Sequence, residues 1–172
     1  MTIEDKLCNI GIKKILIVDD NYTQAAKEYF KNYSKINIDY ATSGSDSIAM
    51  IQRAYTIQKY DLILSDMEME KRDSGIEVSL EAFKHHGFCL IVTGREVTGH
   101  GHGPATRIIG PGYDKTVSGA KALSDTWSNI AGEVTTYLST DGKLFFDSIQ
   151  RYHKYVGKPS DELKDLIKGC IE

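Results

Sequence analysis

The chain has 172 residues, with 21 lysines and arginines against 24 aspartates and glutamates, and a formal net charge of −3. This composition is typical of a folded globular domain and excludes disordered and collagen-like chains. The slightly acidic balance argues against a dedicated nucleic-acid-binding protein, which normally carries a basic surface. Three separated cysteines, the absence of a signal-like N-terminus and the absence of a membrane-length apolar run predict a cytoplasmic protein without disulfides.

Short apolar runs alternate with helical patterns through the first hundred residues. The runs predict buried strands at residues 13–18, 36–41, 60–65 and 88–92. Between them, apolar residues at helical spacing predict helices that begin near Tyr22, Ser43 and Ser74. Repeated strand–helix–strand units imply a parallel sheet with helices on both faces, which is a doubly wound α/β fold.

The pattern changes after Thr93, where glycine and proline become frequent. A fifth strand is predicted within residues 106–115, and a long amphipathic helix with Trp127 in its apolar stripe follows it. Two further helical patterns with balanced charge complete the chain. We therefore divide the chain into an α/β domain at 12–138 and a C-terminal helical appendage at 139–172.

Polar residues stand where the predicted strands end. Asp19 and Asp20 follow the first strand, Asp66 follows the third and Thr93 follows the fourth. Because the carboxyl ends of parallel strands share one edge of the sheet, these side chains should converge. Three neighbouring carboxylates are costly unless a cation binds among them or one of them takes a proton, and their oxygens are ligands that Mg²⁺ prefers. One carboxylate could then accept a phosphoryl group, with Thr93 donating a hydrogen bond to it and Lys115 neutralising its charge.

These residues lie in segments that resemble a response-regulator receiver domain. The matching segments are ILIVDDN at 15–21, DYATSGSDSIAMI at 39–51, YDLILSDMEM at 60–69, SGIEV at 74–78 and LIVTG at 90–94. Several motifs in the family's order make the match specific. The resemblance implies a five-stranded parallel sheet of the flavodoxin-like, receiver type, here with a C-terminal helical extension.

The resemblance also implies roles for individual residues. Asp66 matches the phosphoacceptor, Thr93 the switch hydroxyl and Lys115 the family's lysine. The implied Mg²⁺ ligands are the carboxylates of Asp19, Asp20 and Asp66 and the backbone carbonyl of Glu68. The implied protein is not an enzyme but a stand-alone receiver, phosphorylated by a histidine kinase or phosphotransfer protein. It would relay the signal through a partner or through a homo-oligomer of the C-terminal helices, with no membrane or nucleic acid involved.

The chain departs from the family pattern near the switch. Glu70 stands where the family usually has a proline, and Thr116 stands where a second proline is usual. Gly112 occupies the position of the switch aromatic residue. The glycine-rich segment 94–112 replaces the helix expected between the fourth and fifth strands. These departures leave open an alternative, a pseudo-receiver that binds a partner without phosphorylation.

An enzymatic alternative also stays open. The segment DDNYT at 19–23 resembles the DxDxT start of haloacid-dehalogenase-type phosphatases, and Thr93-Gly94-Arg95 resembles their second motif. In that family Asp19 would be the nucleophile, and Lys115 would be the lysine. Asn21 stands where the family's second aspartate acts as acid and base, and no convincing late acidic motif follows.

Overall fold

The computed structural model describes residues 1–95 and 104–155, without the side chains of residues 95 and 151–155. Part of the glycine-rich segment, 96–103, and the last part of the predicted appendage, 156–172, lie outside the described residues. The described chain is an α/β structure with one six-stranded sheet and six helices. Within these ranges, no helix has the length and apolarity needed to cross a bilayer.

The elements follow one another from an N-terminal helix to a C-terminal helix. The helices are α1 Ile3–Ile10, α2 Thr23–Phe30, α3 Gly44–Ala54, α4 Ser74–Lys84, α5 Ser124–Ser139 and α6 Lys143–Tyr155. The strands are β1 Lys14–Val18, β2 Asn37–Ala41, β3 Leu62–Ser65, β4 Phe88–Arg95, β5 Ala105–Gly110 and β6 Tyr113–Ser118. Their order across the sheet is β2-β1-β3-β4-β5-β6.

The first four strands form a parallel sheet. Strand β1 pairs with β2 and β3, and β3 pairs with β4, all in parallel register. The apolar runs of β1 and β3 are buried along almost their whole length, as expected for strands covered on both faces. The predicted α/β class, these four strands and the three helices between them are confirmed.

The other side of the sheet differs from the five parallel strands that the sequence predicts. Strand β5 runs antiparallel to β4, and β6 runs antiparallel to β5. Residues 106–115, predicted as one strand, instead contain the turn between β5 and β6. Pro111 cannot donate a backbone hydrogen bond, and Gly112 adopts a left-handed backbone with φ of +65°, so the chain reverses there.

The reversal returns the chain to the edge of the sheet where the parallel strands end. Ala105 pairs with Arg95 of β4 on one side and with Ser118 of β6 on the other. Strand β6 therefore runs in the same direction as β1, β3 and β4, and it ends level with β4. Residues shortly after Ser118 therefore lie at the carboxyl edge of the sheet.

The helices cover the sheet with their apolar faces. The part of the predicted stripe that lies in α5 is buried, whereas Leu123, predicted with it, precedes the helix and is exposed. The Trp127 ring lies 6.4 Å from the ring of Phe30 in α2. In α6, the buried Phe146 lies 6.0 Å from Phe88 of β4. Helix α1 was not predicted, although Thr2 and Asp5 form the capping box that marks its beginning.

Candidate functional site

Three carboxylates meet at the carboxyl edge of the sheet. Asp19 and Asp20 follow β1 and Asp66 follows β3, and each offers an oxygen within 4.8 Å of the others. Asp19 is 1% exposed and Asp66 is 9% exposed, whereas Asp20 is exposed. The predicted convergence of these three residues is observed, and Asp20 lies on the side of the cluster that faces solvent.

Asp19 is fixed in place by the chain that follows it. Its Oδ1 accepts hydrogen bonds from the backbone amides of Asn21 and Tyr22, each at 3.0 Å. Its Oδ2 accepts a hydrogen bond from the ammonium of Lys121 at 2.6 Å. Both oxygens therefore accept hydrogen bonds, and these bonds fix the orientation of the Asp19 carboxylate in the cluster.

Asp66 lies at the junction between β3 and the loop that leads to α4. Its amide donates to the carbonyl of Val18, and its Oδ1 accepts from the amide of Met67 at 2.9 Å. Gly75 packs against this junction so closely that an added Cβ would lie 2.5 Å from the carbonyl oxygen of Asp66. Burial raises the pKa of Asp66, Lys121 acts in the opposite direction and the charge of Asp19 raises it further.

The cation of the cluster is Lys121, three residues beyond the end of β6. Its side chain is 1% exposed, and its Nζ lies 2.6 Å from Asp19 and 3.1 Å from Asp66. It also donates to the backbone carbonyl of Val92 at 3.0 Å. The ammonium of Lys121 therefore has two hydrogen-bond acceptors, Asp19 and the Val92 carbonyl, and an ion pair with Asp66. The indole N–H of Trp127 donates to the carbonyl of Lys121 at 2.8 Å and ties this residue to α5.

The structure does not bring Lys115, the lysine named from the sequence, into this cluster. Lys115 is exposed on β6 and its ammonium pairs with Glu133 of α5 at 2.9 Å. The pattern in the sequence predicts one fifth strand that ends near Lys115, whereas the β5–β6 hairpin adds a strand before the chain reaches the site. Pro111 and Gly112 were the available sign of that turn, and Lys121 is the first lysine after β6.

Thr93 and Glu68 lie in the elements that adjoin Asp66. Thr93 is partly buried on β4, two residues beyond Ile91, which pairs with Ser65 at the end of β3. Glu68 is exposed in the loop between β3 and α4. Their positions place both near the edge that carries the cluster. The switch role of Thr93 and the metal contact of the Glu68 carbonyl stay predictions.

Glu70 makes a contact that the sequence analysis missed. Its carboxylate accepts hydrogen bonds from the backbone amides of Gly44 and Ser45, at 2.6 Å and 2.9 Å. These bonds lower the pKa of Glu70 to about 2. The residue that departs from the family pattern in this loop therefore joins it to the first turn of α3.

The donor set at the cluster fits Mg²⁺. Three carboxylates and one lysine leave a net charge of −2, and carboxylate oxygens are the hard ligands that this ion prefers. Burial of Asp19 and Asp66 makes an uncompensated negative charge unfavourable, which favours binding of a cation beside Asp20. Comparison with known proteins finds no matching family model, no matching curated protein and no matching solved structure.

Proposed function

We propose that this chain is a receiver-like signalling domain of the flavodoxin-like class that accepts a phosphoryl group on Asp66. The observation that carries the proposal is the setting of the Asp66 carboxylate. Asp66 follows β3 at the carboxyl edge of the sheet, beside Asp19 and Asp20, and the ammonium of the buried Lys121 lies 3.1 Å from its Oδ1. An acceptor, an acidic metal site and a compensating cation therefore stand together.

The residues around Asp66 would have separate roles in the reaction. Asp19, Asp20, Asp66 and the Glu68 carbonyl would hold Mg²⁺, which when bound would supply positive charge that compensates the phosphoryl group. Lys121 would supply the second positive charge, and Thr93 would donate a hydrogen bond to the phosphoryl group. This arrangement uses the same electrostatic principle as other phosphoryl-transfer sites, in which positioning and charge compensation do most of the catalysis.

Asp66 is the nucleophile in this proposal. Its Oδ1 is held by the Met67 amide and by Lys121, so we assign the attack to Oδ2. A bond forms between Oδ2 and phosphorus while the donor's bond to phosphorus breaks, and the donor keeps the electron pair. Burial makes the Asp66 carboxylate more basic than a solvated one, because it raises the pKa, and a more basic oxygen is a better nucleophile.

Asp19 is a poorer nucleophile than Asp66, which argues against the phosphatase alternative. Both oxygens of Asp19 accept hydrogen bonds, and the residue is 1% exposed. Attack by either oxygen would require loss of a bond to Lys121 or to the backbone amides of Asn21 and Tyr22, just before α2. The geometry therefore supports a metal-holding role for Asp19.

The phosphodonor in this proposal is a histidine kinase or a phosphotransfer protein, and the signal leaves through α5. The bond from Trp127 to the carbonyl of Lys121 supports that route, since it connects the site directly to that helix. Output through a homo-oligomer of the C-terminal helices belongs to the same proposal. Receiver domains usually signal through the helix between their fourth and fifth parallel strands and through the strand that follows it. Because β5 is antiparallel to β4 in this chain, that helix does not indicate the output face.

A second candidate function is a pseudo-receiver that binds a partner without phosphorylation. It is favoured by the partners that Lys121 already has, which are ion pairs with Asp19 and Asp66 and a hydrogen bond to the Val92 carbonyl. A cluster that is partly neutralised from within depends less on a phosphoryl group or a metal ion for its order.

Phosphorylation from a small-molecule donor distinguishes these functions. The chain is incubated with acetyl phosphate and Mg²⁺, and its intact mass is measured. We expect one phosphoryl group to be added to the wild type and to Asp73→Asn, a control in the exposed loop, but not to Asp66→Asn. No mass gain in the wild type, with identical Trp127 fluorescence of wild type and Asp66→Asn in beryllofluoride and Mg²⁺, would favour the pseudo-receiver.

The phosphatase alternative makes the opposite prediction for two variants. It expects turnover of a phosphate ester that is lost in Asp19→Asn and retained in Asp66→Asn. Turnover with that pattern would overturn the proposed function, because it would make Asp19 the residue that carries the phosphoryl group.

A further inference from the structure

Glu70 joins the loop that follows Asp66 to the beginning of helix α3. One carboxylate oxygen accepts from the amide of Gly44 at 2.6 Å, and the other accepts from the amide of Ser45 at 2.9 Å. Ser43, the N-cap of α3, accepts from the amide of Asp46 at 3.1 Å. Three consecutive amides in the first turn therefore have acceptors, and two of these come from a separate loop.

This contact clamps the loop to α3. It combines two charge-assisted hydrogen bonds with a negative charge at the positive end of the α3 dipole. Both oxygens of the Glu70 carboxylate accept one of these bonds, so only displacement of the loop would open the contact.

The other end of the clamped segment is attached to Asp66 and to α4. The amide of Met67 donates to Oδ1 of Asp66 at 2.9 Å, and the carbonyl of Met67 accepts from the amide of Gly75 at 2.8 Å. Glu68 lies between Met67 and Glu70. The backbone that should offer the Glu68 carbonyl to a metal is thus held at both sides within four residues.

We propose that Glu70 is a positioning residue for cation binding, which clamps residues 67–70 to α3 so that Asp66 and the Glu68 carbonyl are held ready for Mg²⁺. This inference rests on the metal site of the proposed function. It adds a connection from that site to α3. By thermodynamic linkage, a clamp that favours Mg²⁺ binding is itself tightened by Mg²⁺, so the first turn of α3 responds to the ion.

The test uses Mg²⁺ alone as the probe, with Glu70→Ala and Glu70→Gln in the full chain. Mg²⁺ affinity is followed by backbone amide shifts and by Trp127 fluorescence, and amide hydrogen exchange is measured at Met67. We expect Glu70→Ala to weaken Mg²⁺ binding about tenfold, the lower end of the range for groups that support metal ligands. Glu70→Gln keeps one acceptor oxygen, so its affinity should fall between those of the wild type and Glu70→Ala.

Two structural readouts accompany the affinity. In the wild type, Mg²⁺ should shift the amide signals of Gly44 and Ser45, and in Glu70→Ala it should not. Hydrogen exchange at Met67 should be faster in Glu70→Ala without Mg²⁺. Glu77→Gln is the control, because it removes an equal charge from an exposed residue of α4 that pairs with Lys71. We expect its Mg²⁺ affinity to stay within about twofold of the wild type, since exposed ion pairs contribute little.

Two results would overturn the inference while leaving the proposed function intact. One is unchanged Mg²⁺ affinity in a folded Glu70→Ala protein whose Gly44 and Ser45 amides exchange faster, which would make Glu70 a helix cap only. The other is equal weakening by Glu70→Ala and Glu77→Gln, which would make charge alone responsible. Absence of Mg²⁺ binding in the wild type by both readouts would instead overturn the metal site and this inference together.

Discussion

The carboxylates and the lysine of the site come from two sides of the sheet that are built differently. On the parallel side, Asp19 and Asp66 stand directly after short buried strands. On the hairpin side, the chain crosses β5 and β6 before Lys121 reaches the same edge. The acids are therefore positioned by local strand endings, whereas their cation depends on the pairing of strands far along the chain. Charge balance at the site requires both sides to be folded.

The largest effect that this comparison predicts follows from replacing Lys121. Lys121→Met leaves Asp19 and Asp66 without their buried partner, and loss of one member of a buried ion pair typically costs about 3–5 kcal/mol. We expect a loss of that size in the free energy of unfolding, measured by urea titration at neutral pH with EDTA present.

Lys115→Met is the matched control for that experiment. Its ammonium is exposed and pairs with Glu133 across the surface, so the change in unfolding free energy should stay within about 0.5 kcal/mol. Equal losses in the two variants would show that the hairpin side contributes no special charge to the site. A large loss in Lys115→Met alone would indicate that Lys115, the lysine predicted from the sequence, compensates the charge of the site and that Lys121 does not.

Two glycine substitutions test the packing of the parallel side and of the hairpin side separately. Gly75→Ala would place a Cβ 2.5 Å from the Asp66 carbonyl and 2.8 Å from Met67 Cα, and backbone must move to admit it. We expect a loss of about 1–3 kcal/mol in the free energy of unfolding, as for other overpacked sites, together with reduced phosphorylation of Asp66.

Gly112→Ala tests the hairpin turn and not the site. Apart from Gly112 and its two chain neighbours, no heavy atom lies within 4 Å of the added Cβ, so the expected strain is that of the left-handed backbone, about 1–2 kcal/mol. Phosphorylation and Mg²⁺ binding should then be retained in the folded protein. If Gly112→Ala lowered Mg²⁺ affinity as much as Gly75→Ala, the hairpin would have to shape the site through more than Lys121.

The two sides also differ in how well the sequence predicts them. Strands such as β1 and β3 are read from short apolar runs, and Ser43 is read as an N-cap, because these signals involve neighbouring residues only. The convergence of Asp19 and Asp66 follows from strand direction alone. These parts were predicted because each depends on local pattern plus one general rule of sheet topology.

The missed parts depend on contacts that no local pattern specifies. Lys121 reaches Asp19 only because β5 is antiparallel to β4, and an apolar run does not reveal which way its strand will pair. Glu70 is an exposed acidic residue in a loop, and nothing in the sequence distinguishes it from a solvated one. Its contact with Gly44 depends on how this loop meets the first turn of α3.

Trp127 should connect the two sides energetically. Trp127→Phe removes the N–H that bonds to the Lys121 carbonyl and leaves a buried acceptor unpaired, which typically costs about 1–3 kcal/mol. In a double-mutant cycle with Lys121→Met, measured by circular dichroism in urea, the two losses should be less than additive. Strict additivity would show that the indole does not help to position Lys121.

The smallest effect concerns the burial of Asp66. Its folded-state pKa is raised, chiefly by burial, so the native state keeps a proton that the unfolded state has already lost as the pH rises. Stability therefore falls as the pH rises from the unfolded pKa of Asp66 to its folded pKa, and the full penalty is present above that range. Asp66→Asn removes the ionisation and should stabilise the protein at neutral pH by on the order of 1 kcal/mol, a typical gain at a functional site.

Urea unfolding of Asp66→Asn, with EDTA present and between pH 4 and 8, tests this sign. The variant should show a flatter dependence of unfolding free energy on pH than the wild type, and Asp73→Asn in the exposed loop should match the wild type. A variant less stable than the wild type at neutral pH would mean that attraction to Lys121 outweighs burial. Lys121, from the hairpin side, would then fully compensate the negative charge of Asp66, and the cluster would have little need for a bound cation.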